Sequence, residues 1–169
     1  QDAELGFSLP VLTAAVSKER LFEVFMALLE PLQGVVDVVL ESSHIPGMSD
    51  RLDLRRSEID LPVLMSHLYD FEDLLMNDGC TGVAVLSQRR KMEVQFDEHK
   101  LLVVYAKRLK PFRRILKGFD LWRDQSLDFI CEDEHLHSSA PEFESSFSTL
   151  CYRLGVGDTE HVLSDGRED

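Results

Sequence analysis

The sequence predicts a single α+β domain: one antiparallel sheet of about five strands, centred on a three-stranded meander, with about four helices packed on it. Three observations carry this expectation. Residues 81–87, 92–98 and 101–106 are three β-prone runs joined by polar links short enough to force antiparallel hairpins. Apolar residues recur at helical spacing on both sides of that block. At 169 residues and 44% hydrophobic content, the chain is long enough to bury one core without staples.

Taken in order, residues 1–16 read as an extended lead-in, with Phe7, Leu9, Val11 and Leu12 spaced loosely for a short strand. Ser17 can cap a helix because its hydroxyl accepts from orphan amides of the first turn. Leu21, Phe25, Leu28, Leu29 and Leu32 then mark the helix, and Pro31, lacking an amide proton, ends it. From Val35 to Glu41 the pattern alternates, with Val36, Val38 and Leu40 on one face and Asp37 and Glu41 on the other. Leu52, Leu54 and Arg56 offer a partner strand. Asp60 opens a second helix, with Pro62 tolerated in its first turn. Leu61, Leu64, Met65, Leu68, Phe71, Leu75 and Met76 form its inward stripe, and Asn77–Gly79 stops it.

In the meander, Met92, Val94 and Phe96 face the core while Glu93, Gln95 and Asp97 face away. Leu101 to Tyr105 is apolar on both faces, as a central strand requires. Leu109, Phe112, Ile115 and Leu116 then predict a short amphipathic helix ending at Gly118, and Leu127, Phe129 and Cys131 alternate as a further strand. Ser139 and Glu142 have the spacing of a capping box around Pro141. Phe143, Phe147, Leu150, Cys151 and Leu154 give the stripe of a last helix that Gly155 closes. The domain is therefore expected over residues 1–155, with 156–169 as an acidic flexible tail.

No run of 18 apolar residues exists, so no membrane span is expected. The opening residues from Gln1 hold no basic stretch followed by an apolar core, so no signal peptide is read in them. Cys80, Cys131 and Cys151 are widely spaced, without a C-x-x-C pair, and occupy apolar neighbourhoods; free thiols in a cytoplasmic protein are the expectation.

A net charge of −13 argues against nucleic-acid and anionic-membrane binding, since both need a positive surface. The charge is also segregated. Residues 107–117 carry Lys107, Arg108, Lys110, Arg113, Arg114 and Lys117 with no acid, which leaves −19 for the rest of the chain. Arg89, Arg90 and Lys91 add a second basic group at a hairpin tip. Arginine offers a planar fork for carboxylate or phosphate, so Arg89, Arg90, Lys91, Lys110, Arg113, Arg114 and Lys117 are candidate partner-binding residues. The competing expectation is a solvated helix face whose cations pair with the many carboxylates elsewhere in the chain. Trp122, beside this helix, either anchors a partner or closes a core edge.

A second constellation is histidine-rich. Asp97 and His99 lie two apart, and His135 and His137 follow Glu132–Glu134. Brought together, Asp97, His99, His135 and His137 are candidate mixed N/O ligands for a divalent metal that activates water. Against this stand ordinary turn chemistry at 97–100 and favourable negative charge before a helix N-terminus. Neither segment has an H-E-x-x-H spacing, and no G-x-S-x-G or phosphate-binding loop occurs.

The favoured expectation is a non-catalytic interaction or regulatory module, without cofactor, whose protein partner meets an anionic surface to the basic helix. Two alternatives stay open. One is a metal-dependent hydrolase with Glu134 as general base. The other is an acidic chaperone-like homodimer that exchanges edges at 5–16 and 50–56.

Overall fold

The computed structural model describes residues 9–43, 52–124, 126 and 139–156. Their order is β1 (Val11–Ala15), α1 (Lys18–Leu29), a 3-10 turn (Glu30–Leu32), β2 (Val35–Ser42), β3 (Leu52–Asp60), α2 (Leu61–Asp70), α3 (Glu72–Asn77), β4 (Thr81–Ser87), β5 (Met92–Phe96), β6 (Leu101–Ala106), α4 (Lys110–Gly118) and α5 (Pro141–Leu154). The six strands form one sheet in the order β1-β6-β5-β4-β2-β3, and every neighbouring pair is antiparallel. The α+β architecture is as the sequence predicts, and β4, β5 and β6 are its up-and-down meander.

Three details differ, and a fourth expectation lies outside the described residues. Among the described residues the sheet has six strands rather than about five, because Val11–Ala15 in the lead-in pairs along β6. That pairing makes β6 an internal strand, as its two apolar faces require. The strand expected at 127–131 lies outside the described residues. The helix expected from Asp60 onward is two helices, broken at Phe71, whose φ of −116° and ψ of 24° leave the helical region. Each segment still buries its stripe, Leu61, Leu64 and Leu68 in α2 and Leu74 and Leu75 in α3. The capping box at Ser139 does not form. Pro141 holds the residue before it extended, so Ala140, at φ −95° and ψ 149°, becomes the N-cap. The Ser139 hydroxyl donates to the Ala140 carbonyl instead, at 3.3 Å.

Register explains the core. Leu12, Val104, Val94, Val85 and Val38 lie side by side across five strands, and Ala14, Leu102, Phe96, Val83 and Leu40 form the next row. Side chains alternate along a strand, so both rows face the same side. Both rows pack with the apolar stripes of all five helices in one cluster. Phe25 of α1 meets Phe96 edge-on, with ring centroids 5.1 Å apart. The intervening row, Thr13, Val103, Gln95, Ala84 and Val39, belongs to the opposite face and does not enter that cluster. Among the described residues the fold is two layers, with helices on one side of the sheet.

The helices line up across the sheet. α1 packs on β5, α3 on β4 and α2 on β3, with α5 seated against α2 and α3. α4 packs against α1. With α3 on β4 and α1 on β5, and α1 touching both α3 and α4, the helix order follows the strand order and puts α4 on the β6 side of α1.

Val94 and Phe96 are fully buried while Gln95 is partly exposed, which predicts unequal costs on the two faces of β5. Phe96→Ala is expected to lower unfolding free energy by about 3–5 kcal/mol in urea titrations. Gln95→Ala on the other face is expected to cost about 0.5 kcal/mol or less.

Candidate functional site

α4 forms because Leu109, Phe112 and Leu116 bury one stripe while Pro111 sits in the first turn, where its missing amide costs nothing. Everything else on the helix follows from that stripe. Lys107, Arg108, Lys110, Arg113, Arg114 and Lys117 are all exposed. The ion pairs between described residues lie elsewhere: Arg55–Asp37 at 2.6 Å, Arg153–Asp70 at 2.7 Å and His99–Asp97 at 3.3 Å. Among the described residues, then, the six cations of this segment have no carboxylate partner. The expected internal pairing with the acidic remainder of the chain does not occur there.

Past the helix, the Leu121 amide donates to the Leu116 carbonyl at 3.0 Å and turns the chain back. This leaves Trp122 69% exposed, not at a core edge, with the Lys117 ammonium 5.2 Å from its ring centre. At the helix's other flank, the Arg20 guanidinium of α1 donates to the Phe119 carbonyl at 2.5 Å and lies over the Phe119 ring at 5.4 Å.

The second basic group joins the first through register. Met92 stands opposite Ala106, so the β4–β5 tip carrying Arg89, Arg90 and Lys91 is at the same end of the sheet as Lys107 and Arg108. Arg89 and Lys91 are exposed, and Arg90 donates to the Gln33 side-chain oxygen. A groove of about 530 Å³ opens between this tip, the Gln33–Gly34 turn and Glu58.

Asp37 sits at the floor of that groove and is the acid that pattern reading underrates. It falls on the open face of β2, yet is only 6% exposed. β2 and β3 slip register between Val36 and Val38, so Asp37 opposes both Ser57 and Glu58, with Glu58 in the left-handed region at φ 58°. The Asp37 carboxylate accepts the Glu58 amide at 3.0 Å, the Arg55 guanidinium at 2.6 Å and the Gln88 side-chain amide at 3.2 Å. Burial pulls its pKa upward, but these three donors outweigh that and hold it below the ordinary carboxylate value.

The histidine constellation lies at the far end of the sheet. Asp97 accepts the Leu101 amide at 2.7 Å, and its other oxygen is 3.3 Å from His99 Nδ1. Lys100, in the left-handed region at φ 66°, donates to the Asp78 carbonyl at 2.6 Å. Burial lowers the Lys100 pKa to about 8, although Asp78, Asp97 and Glu98 act to raise it. His135 and His137 lie outside the described residues. Among the described residues no three His, Cys, Asp or Glu side chains converge as metal ligands. Cys80 and Cys151 are free and buried, and burial raises both thiol pKa values, that of Cys151 to about 11. Cys131 lies outside the described residues. No described helix is long and apolar enough to cross a membrane.

No protein-family model, curated protein or solved structure matches this chain.

The Asp37 network predicts an acid-sensitive bulge. A carboxyl whose folded pKa is depressed stabilises the fold above its unfolded value of about 3.9, and that contribution is lost as pH falls through the folded value. Asp37→Asn is expected to cost about 2 kcal/mol at pH 7 in urea titrations. The gap between the two proteins is expected to shrink as both are taken below about pH 3.9.

Proposed function

We propose that this protein is a non-catalytic interaction module that captures an acidic protein partner through the exposed face of α4. One juxtaposition carries the reading: six cations, Lys107 to Lys117, stand in solvent without a described carboxylate partner on a chain of net charge −13, beside an exposed Trp122.

Two features give the face the character of a binding surface. Arg113 and Arg114 offer planar forks for carboxylates. Trp122, exposed beside Lys117, supplies apolar area whose removal from water adds affinity. The overall negative charge does not cancel local attraction, because charges more than about 8 Å apart are largely screened at physiological ionic strength. Arg89 and Lys91 extend the positive region around the same end of the sheet.

The test is binding of a fluorescent oligoglutamate peptide, read by anisotropy at low and physiological salt. Wild-type protein is expected to bind, with affinity falling as salt rises. Arg113→Glu with Arg114→Glu is expected to weaken binding about tenfold or more, which is about 1.4 kcal/mol or more. Its melting temperature is expected to stay unchanged, since both side chains are exposed. Equal binding by the double variant would remove α4 as the capture surface.

A further inference from the structure

We propose that the basic helix is one half of a docking edge whose other half is β1, and that β1 takes up an extended acidic polypeptide segment as a seventh strand. The inference rests on the reading of α4 as a partner-binding face and adds the backbone that would hold the partner.

Register identifies the available groups. The Ala106 amide donates to the Pro10 carbonyl at 3.3 Å, so Pro10 and Ala106 are a hydrogen-bonding pair at the end of the β1–β6 ladder. Bonding and non-bonding pairs alternate in an antiparallel ladder. Leu12↔Val104 and Ala14↔Leu102 therefore bond, while Val11, Thr13 and Ala15 turn their N–H and C=O groups away from β6. Among the described residues no strand lies beyond β1. Donors and acceptors at every second residue are the template to which an added strand pairs.

The two edges of the sheet are unlike. β3, at the far edge, carries Asp53, Arg55, Arg56 and Glu58 and is bent by the bulge at Glu58, devices that discourage strand addition. β1 reads Val-Leu-Thr-Ala-Ala, with no charge, no proline and an unbroken register. Val11 is 50% exposed.

Charge selects the occupant. At about 100° per residue, Arg113, Lys117 and Lys110 fall on the flank of α4 opposite Ile115 and Phe119. Arg20 of α1 holds Phe119, so that cationic flank faces away from α1; since α1 packs on β5, the direction away from it runs through β6 to β1. A strand added outside β1 lies about 4.8 Å further out, with alternate side chains rising toward this flank. Acidic side chains at those positions meet the cations. A second copy is a poor occupant: antiparallel β1–β1 pairing about a two-fold axis would set two basic α4 helices side by side on one face of the joined sheet.

The experiment uses the full chain and two labelled peptides, oligoglutamate and a peptide alternating Glu with Val or Thr. Thr13→Pro removes an outward amide while leaving the bonds to β6, and proline is tolerated on an edge strand. The expected result is at least tenfold weaker binding of the alternating peptide to Thr13→Pro, with oligoglutamate binding and melting temperature unchanged. On wild-type protein, the alternating peptide is expected to slow hydrogen exchange at the Val11, Thr13 and Ala15 amides, a readout that needs no variant. Ala15→Pro at the strand end repeats the test if Thr13→Pro does not fold. Unchanged binding of the alternating peptide to the proline variant, without slowed exchange in wild type, overturns strand addition and leaves the α4 reading intact. Failure of wild-type protein to bind either peptide overturns both. A peptide-free dimer in light scattering that Thr13→Pro abolishes would assign the edge to a second copy and overturn the acidic occupant.

Discussion

Cross-strand contact among Leu12, Val104, Val94, Val85 and Val38 ties five of the six strands to one register, and most other features follow from it. Side chains in a sheet alternate faces, so a slip of one residue in any of these strands would carry its entire apolar set to the wrong side. With Val38, Val85, Val94 and Val104 all 1% exposed or less, that slip is heavily penalised. The same constraint draws the helices to one side, where their stripes cover these rows. Register also decides which links meet at each end. The Arg89–Lys91 tip and the start of α4 share one end because Met92 faces Ala106, while the Asp97–Lys100 turn lies at the other.

The meander is legible in the sequence because its signals are local: Met92, Val94 and Phe96 alternate with Glu93 and Gln95, and each link is too short to cross the sheet. Features that depend on distant partners are not legible in that way. Val11–Ala15 carries no alternation and becomes a strand through β6, ninety residues later in the chain. Phe71 continues the helical stripe of its segment, so nothing in the spacing marks the break there. Ser139 and Glu142 have capping-box spacing, but Pro141 shifts the start of the helix by one residue. Asp37 is the clearest case. Alternation places it correctly on the outer face, yet its burial depends on Arg55, Glu58 and Gln88, which only the folded register assembles.

The candidate site divides along the same line. Composition alone marks 107–117 as basic, and 3.6-residue spacing separates its buried stripe from its cations. Whether those cations find partners depends on where the acids fold. Glu19, Asp70, Glu72 and Asp73 line a groove at α1, α2 and α3, and there Asp70 pairs with Arg153. α1 lies between this acidic region and α4, so the two charge populations are held apart by the helix order. That order in turn follows from the sheet beneath.

Stability gives the fold little reason to correct the separation. An exposed ion pair contributes about 0–1 kcal/mol, so pairing the α4 cations internally would add little to the folded state. Lack of internal pairs is thus tolerable for a solvated surface and useful for a binding one, and charge alone does not distinguish them. Trp122 bears on the choice. The indole is 69% exposed, and a binding face gains about 25 cal/mol for each Å² of apolar surface it removes from water. In that role Lys117, seated over the ring, would meet a carboxylate while the indole covers the neighbouring apolar chain. A cationic face without a carboxylate partner among the described residues, set beside an exposed indole, is the combination on which the proposed docking role rests.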